Sequence, residues 1–121
     1  MSTLNVANIS DGTDTVETGY VVNGSAKAWA LIDGSATITV LSSLNVSSAT
    51  DVQFGVYEAN YTSSMASKLG CYTASSTTDS TVGEPDPGSS SVSKCRIIIR
   101  TFGGSVSDDP FASVSFKGDL A

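Results

Sequence analysis

The chain is 121 residues long, which sets an expectation of one domain, and its 40 % hydrophobic residues are enough for a core. Charged residues make up only 15 %, below the usual share of about 25 %, and the net charge is −6 with six scattered basic residues. This excludes nucleic acid and anionic membrane surfaces as partners, since both are held through clustered Lys and Arg, and no stretch approaches the roughly 20 apolar residues of a membrane-spanning helix.

Residues 1–19 read as an extended arm. Leu4, Val6 and Ile9 are its only apolar anchors, set among polar residues and the turn signal Asp11-Gly12. Alone such an arm cannot bury enough surface to offset its ordering entropy. It is expected to wrap around sister chains or dock into a larger assembly, with a frayed terminus as the alternative.

The head domain, 20–121, opens with a period of two. Tyr20-Val21-Val22 reads as a strand ending at the hairpin signal Asn23-Gly24. Lys27 to Ile32 follows as a strand, and Asp33-Gly34 joins it to Ala36 to Leu41, where Ala36, Ile38 and Val40 share one face. Val52 to Tyr57 alternates with Val52, Phe54 and Val56 inward, and Lys68 to Thr73 is a weaker strand. The Ser/Thr-rich tract 74–93, broken by Gly83-Glu84-Pro85-Asp86-Pro87-Gly88, is incompatible with a central strand or a helix and reads as a long loop. In Lys94 to Phe102 the residues Cys95, Ile97 and Ile99 face one side, and Arg96, Ile98 and Arg100 the other. Ile98 between two arginines suggests a half-buried second face against a neighbouring subunit. The last strand, Phe111 to Lys117, turns Ala112, Val114 and Phe116 inward. Six or seven short strands with turns between them predict an all-β antiparallel sandwich.

The residues offer little chemistry. The chain has no histidine, so neither the commonest acid–base group nor a Ser-His-Asp set is available. The carboxylates that would be paired for glycosidic cleavage are Glu17, Asp33, Asp51, Glu58, Asp108 and Asp109, most of them in turns, where Asp is favoured for backbone reasons. Asp11 with Asp14, and Asp108 with Asp109, do not match a calcium loop. A disulfide between Cys71 and Cys95 would add roughly 3 kcal/mol. A reducing cytoplasm, and the position of Cys95 in phase with Ile97 and Ile99, favour free core thiols. No catalytic residue, cofactor or metal is expected. Trp29, the sole tryptophan, is flanked by Ala28 and Ala30 and reads as structural, with sugar stacking the lesser alternative.

One order of residues carries a resemblance. Asn23-Gly24-Ser25-Ala26-Lys27-Ala28-Trp29, then Asp33-Gly34, then Ser43-Leu44-Asn45-Val46-Ser47-Ser48, all preceded by Ser2-Thr3-Leu4-Asn5-Val6-Ala7-Asn8-Ile9, resembles short β-rich tail-fibre or appendage-like virion proteins of tailed bacteriophages, above all marine ones. The likeness extends through Tyr61 to Met65, the Ser-rich loop and the late Arg-Ile strand, and so covers most of the chain. It implies a place in a virion, assembled in a bacterial cytoplasm, which the absence of a secretory leader at Met1 to Asn5 suits.

The expectation is then a jelly-roll-like β-sandwich with an N-terminal arm, assembled as a homotrimer. Leu4, Val6 and Ile9 attach it to other virion proteins of tail or capsid. Trp29, Lys27 and Ile98 build the subunit interface, with Lys27 pairing an acid across it. The loops 75–91 and 103–110, with Ser89, Ser90, Asp108 and Asp109, face outward toward a host surface glycan or protein. Receptor-reaching fibres usually carry a long anchor and shaft, and here only a short arm precedes the head. That supports a second expectation, a capsid decoration protein or head fibre; a carbohydrate-acting enzyme is a third.

Overall fold

A computed structural model describes residues 1–77 and 81–121. In chain order the elements are β1 (Asn8–Ser10), β2 (Thr15–Glu17), α1 (Thr18–Gly24), β3 (Ala26–Asp33), β4 (Thr39–Leu44), β5 (Val46–Gln53), β6 (Val56–Tyr61), β7 (Cys71–Ser75), β8 (Thr81–Pro85), β9 (Lys94–Thr101) and β10 (Ala112–Lys117). Eight of the strands form two four-stranded sheets, ordered β4-β3-β10-β7 and β5-β6-β9-β8, with every pairing antiparallel. The fold is therefore all-β, consistent with a β-sandwich.

The core follows from alternation. Cys95, Ile97 and Ile99 on β9 and Ala112, Val114 and Phe116 on β10 are buried, as their spacing predicts, and Ala28, Ala30 and Ile32 on β3 are buried with them. Tyr57, Ala59 and Tyr61 of β6 and Met65 complete the layer between the sheets. The chain passes from one sheet to the other at Asn45, a single residue with φ 55°, a left-handed conformation that Asn tolerates better than most. Its side chain fixes the corner: Nδ2 donates to Ser63 O at 2.9 Å, and Oδ1 accepts from Ser63 N at 2.7 Å. On the far side β7 and β8 pass so close that a Cβ on Gly83 would lie 2.7 Å from Ser75 N.

Five expectations are corrected. Tyr20-Val21-Val22 lies in α1, not in a strand. Its backbone bonds locally there, and Asn23-Gly24 closes a helix instead of a hairpin. The β3–β4 connection is longer than two residues, because Asp33 pairs with Thr39. Asp33 Oδ1 accepts from Ser35 N at 2.9 Å and Ser35 Oγ at 2.7 Å, and this local turn leaves Ala36 exposed. Val52 and Phe54 are exposed, not inward. β5 is an edge strand whose register shifts between Asp51 and Gln53, which resets the alternation, and Phe54-Gly55 is the two-residue turn into β6. The tract 74–93 holds β8, an edge strand on β9, where Pro85 at the strand end costs no central ladder bond. Cys71 and Cys95 are both free, but only Cys95 is in the core; Cys71 is exposed.

Gly55 carries φ +68°, and a Cβ there would lie 2.6 Å from Ser107 N. Gly55→Ala is expected to cost about 2–3 kcal/mol, combining left-handed strain with a backbone clash that has no flexible side chain to yield. Urea denaturation measures it. Gly103→Ala, whose new Cβ would meet nothing nearer than 3.7 Å, should shift stability by less than about 0.5 kcal/mol.

Candidate functional site

The first 24 residues contain no buried side chain. β1 and β2 form a small hairpin around Asp11, whose Oδ1 accepts from Thr13 N and Asp14 N at 2.9 Å each. Those bonds hold the Asp11 carboxyl below its ordinary value and account for it as a turn residue. Leu4 is 81 % exposed, and Val6, Ile9, Val16, Tyr20, Val21 and Val22 are exposed as well. Lys27 ties the arm to the head: its Nζ donates to Val22 O, to Ser25 O at 3.0 Å and to Ser25 Oγ at 2.7 Å. A cation at the carbonyl end of α1 is favourable for the helix dipole. These bonds occupy the ammonium that was expected to pair with an acid of another subunit.

The outer face of the β5-β6-β9-β8 sheet is charged. Glu58, 5 % exposed, accepts from Lys94 Nζ at 2.8 Å and from Arg96 at 2.6 and 3.0 Å, and Arg100 pairs with Glu84 at 2.9 Å. Burial pushes the Glu58 carboxyl up, but the hydrogen bonds and charges of Lys94 and Arg96 outweigh it and hold the group below the usual carboxylate range. Ile98 is half-buried in this face, opposite Val56 and Glu84 of its own chain. Trp29 lies on the outer face of the other sheet, so the structure does not bring Trp29 and Ile98 together.

At one end of the sandwich Asp108 and Asp109 close the fold. Asp108 Oδ1 accepts from Gly55 N at 2.7 Å and from the Tyr57 hydroxyl at 3.0 Å. The same hydroxyl accepts from Asp109 N at 3.1 Å, and burial pushes it up to about 12. Asp109 is fully buried, its carboxylate accepting from Phe111 N at 2.6 Å and from Ser76 Oγ. Ser90 is also buried: its hydroxyl donates to Asp86 O at 2.7 Å and accepts from Arg96 N at 2.9 Å. Asp109 and Ser90 are therefore not outward contact residues, as the sequence suggests; these polar side chains are consumed in satisfying backbone groups that the loops would otherwise bury unpaired. Asp108 is half-buried in the same network, and Ser89 alone of the four is exposed. Of the loop 75–91, residues 78–80 lie outside the described residues. Among the described residues no three metal-ligating side chains converge.

The outer face of the β4-β3-β10-β7 sheet is uncharged at its centre. Cross-strand pairing lines up Leu44, Trp29, Ser115 and Thr73 in one row and Ser42, Leu31, Ser113 and Ser75 in the next. Thr73 Oγ1 and Ser115 Oγ are 2.6 Å apart, as are Ser75 Oγ and Ser113 Oγ. Trp29, 37 % exposed, stands beside them over an open groove of about 370 Å³. The alternation of β10 places Ser113 and Ser115 outward, but nothing in the sequence says that β7 pairs with β10, and so Thr73 and Ser75 escape notice.

No family model, curated protein or solved structure matches the chain.

Proposed function

We propose that the chain is a bacteriophage virion structural protein of tail-fibre or tail-appendage type, working by non-covalent contact. In this reading the β head is jelly-roll-like and trimeric, and the arm joins it to its sisters and to the particle. The observation that carries the proposal is the unburied arm. A hairpin with three-residue strands and a two-turn helix are marginal alone; this pair exposes Ile9, Tyr20, Val21 and Val22, and the segment ahead of it exposes Leu4 and Val6. Surface of this kind is stabilised when other chains cover it. Eight antiparallel strands in two four-stranded sheets, with connections crossing between them, support the jelly-roll-like part of the reading.

Trp29 and Ile98 lie on different sheets and face opposite ways, so no single patch holds both; a ring that used both would set the outer face of one sheet against the outer face of the other sheet in the next copy. The arm, with the base of α1 at Lys27, is the better trimer contact. A second reading, a capsid decoration protein or head fibre, is favoured by the shortness of β1, β2 and α1, which span only Asn8 to Gly24 ahead of the two sheets.

Native mass measurement tests the assembly. Three copies of the 12.3 kDa chain are expected, and Ile9→Asp with Val21→Asp should release monomers that keep the β-sheet circular dichroism. A wild-type monomer overturns the trimer. Gold-labelled antibody on purified virions separates tail from shell, and no labelling on either overturns the virion reading.

A further inference from the structure

We propose that the outer face of the β4-β3-β10-β7 sheet binds a neutral saccharide. Trp29 stacks on the apolar face of a sugar ring, and the hydroxyl pairs Thr73–Ser115 and Ser75–Ser113 engage its hydroxyl groups. The inference rests on the virion reading for the source of the sugar, a host surface, and not for its chemistry.

Three observations converge on this ligand class. The groove beside Trp29 is about 370 Å³ and has no ionisable side chain in its lining, although the chain carries a net charge of −6 and its opposite sheet face is crowded with ion pairs. A charged ligand finds no counter-charge here, and a neutral one pays no desolvation of an ion. Trp29 is a flat apolar surface with a polar edge, suited to a ligand that presents C–H groups on one face and hydroxyls at its rim. The floor is made of small hydroxyl side chains. Within each 2.6 Å pair one hydroxyl donates to the other, so each pair retains one O–H proton to donate, and lone pairs with which to accept. These stations are held by strand pairing, which lowers the ordering cost of binding.

A second copy of this chain is the competing occupant. Packed against an apolar surface of that copy, the hydroxyl rows would leave their remaining protons unpaired, which is costly. A saccharide, itself rich in donors and acceptors, satisfies them.

The sole tryptophan makes the site self-reporting. Titrating the intact protein with maltohexaose, cellohexaose, laminarihexaose and galactohexaose, with polygalacturonate as the charged control, is expected to shift Trp29 emission saturably for at least one neutral probe. Thr73→Val with Ser115→Ala, which keeps the fluorophore, should weaken that probe about tenfold, and calorimetry on Trp29→Ala should show a loss at least as large, as for truncation of an aromatic anchor. No response to any neutral hexasaccharide overturns the proposal, and so does a stronger response to polygalacturonate. Trp29 emission that changes with protein concentration, together with assemblies that dissociate in Trp29→Ala, assigns the face to a second copy and overturns it too. Saccharide binding by a protein absent from virions leaves the platform standing and removes the virion reading, so the two failures are separable.

Discussion

Phe116→Ala is expected to cost about 3–5 kcal/mol, a large part of the 5–15 kcal/mol that holds a domain together. The ring is 1 % exposed and lies edge-on to Tyr72, with centroids 4.7 Å apart at 61°, while the Tyr61 ring is centred 6.2 Å away. Backbone closes the pocket around it. A Cβ on Gly70 would come within 2.2 Å of the ring, and one on Gly118 within 2.9 Å. Walls made of strand-end backbone relax less than side chains do, so the truncated site keeps most of its cavity. Urea denaturation followed by Trp29 emission measures the loss. Phe111→Ala, on a ring 47 % exposed, should cost less than about 1 kcal/mol in the same assay.

Glu58→Gln is expected to cost about 1–3 kcal/mol at neutral pH and to flatten the acid limb of the stability profile. The side chain of Glu58 is nearly buried, but those of Lys94 and Arg96 are 34 % and 25 % exposed, so both cations can turn to water once the carboxylate is gone. That keeps the loss below the value for a fully buried pair. The folded-state pKa of Glu58 is depressed, and the sign follows from that. The group's contribution is fully present above the unfolded carboxyl value of about 4.3 and is lost as pH falls through the lower folded value. Asp33 and Asp86 are also held down by hydrogen bonds, Asp33 by the Ser35 hydroxyl first and Asp86 by the Ser89 hydroxyl first, and they act in the same direction. The difference between wild type and Glu58→Gln therefore isolates Glu58. Parallel acid limbs in the two proteins would remove it from this role.

Much of the sandwich was legible in advance. Strict alternation over Cys95 to Ile99 and Ala112 to Phe116 assigned the core faces of two strands correctly, because each strand has one face turned to the core and one turned away; for Ala28 to Ile32 it gave the strand and not the face. The misreadings share a cause. Tyr20 to Val22 has strand-forming side chains, yet it lies in a short helix that satisfies its backbone locally. Val52 and Phe54 keep the right spacing, but the bulge before Gln53 and the turn at Gly55 rotate them outward. Asp109 and Ser90 resemble loop polar residues, but backbone groups from Phe111 and Arg96 draw them inside.

The all-β class, the inward faces of β9 and β10 and the antiparallel neighbours β3 and β4 were readable from period and turn chemistry within a few residues. The remaining neighbours came from folding the whole chain: it placed Thr73 and Ser75 beside Ser115, Ser113 and Trp29, and it set the charged face apart from the uncharged one. Alternation tells each side chain which face it occupies, but pairing between strands some forty residues apart is settled by how all eight bury their apolar faces at once.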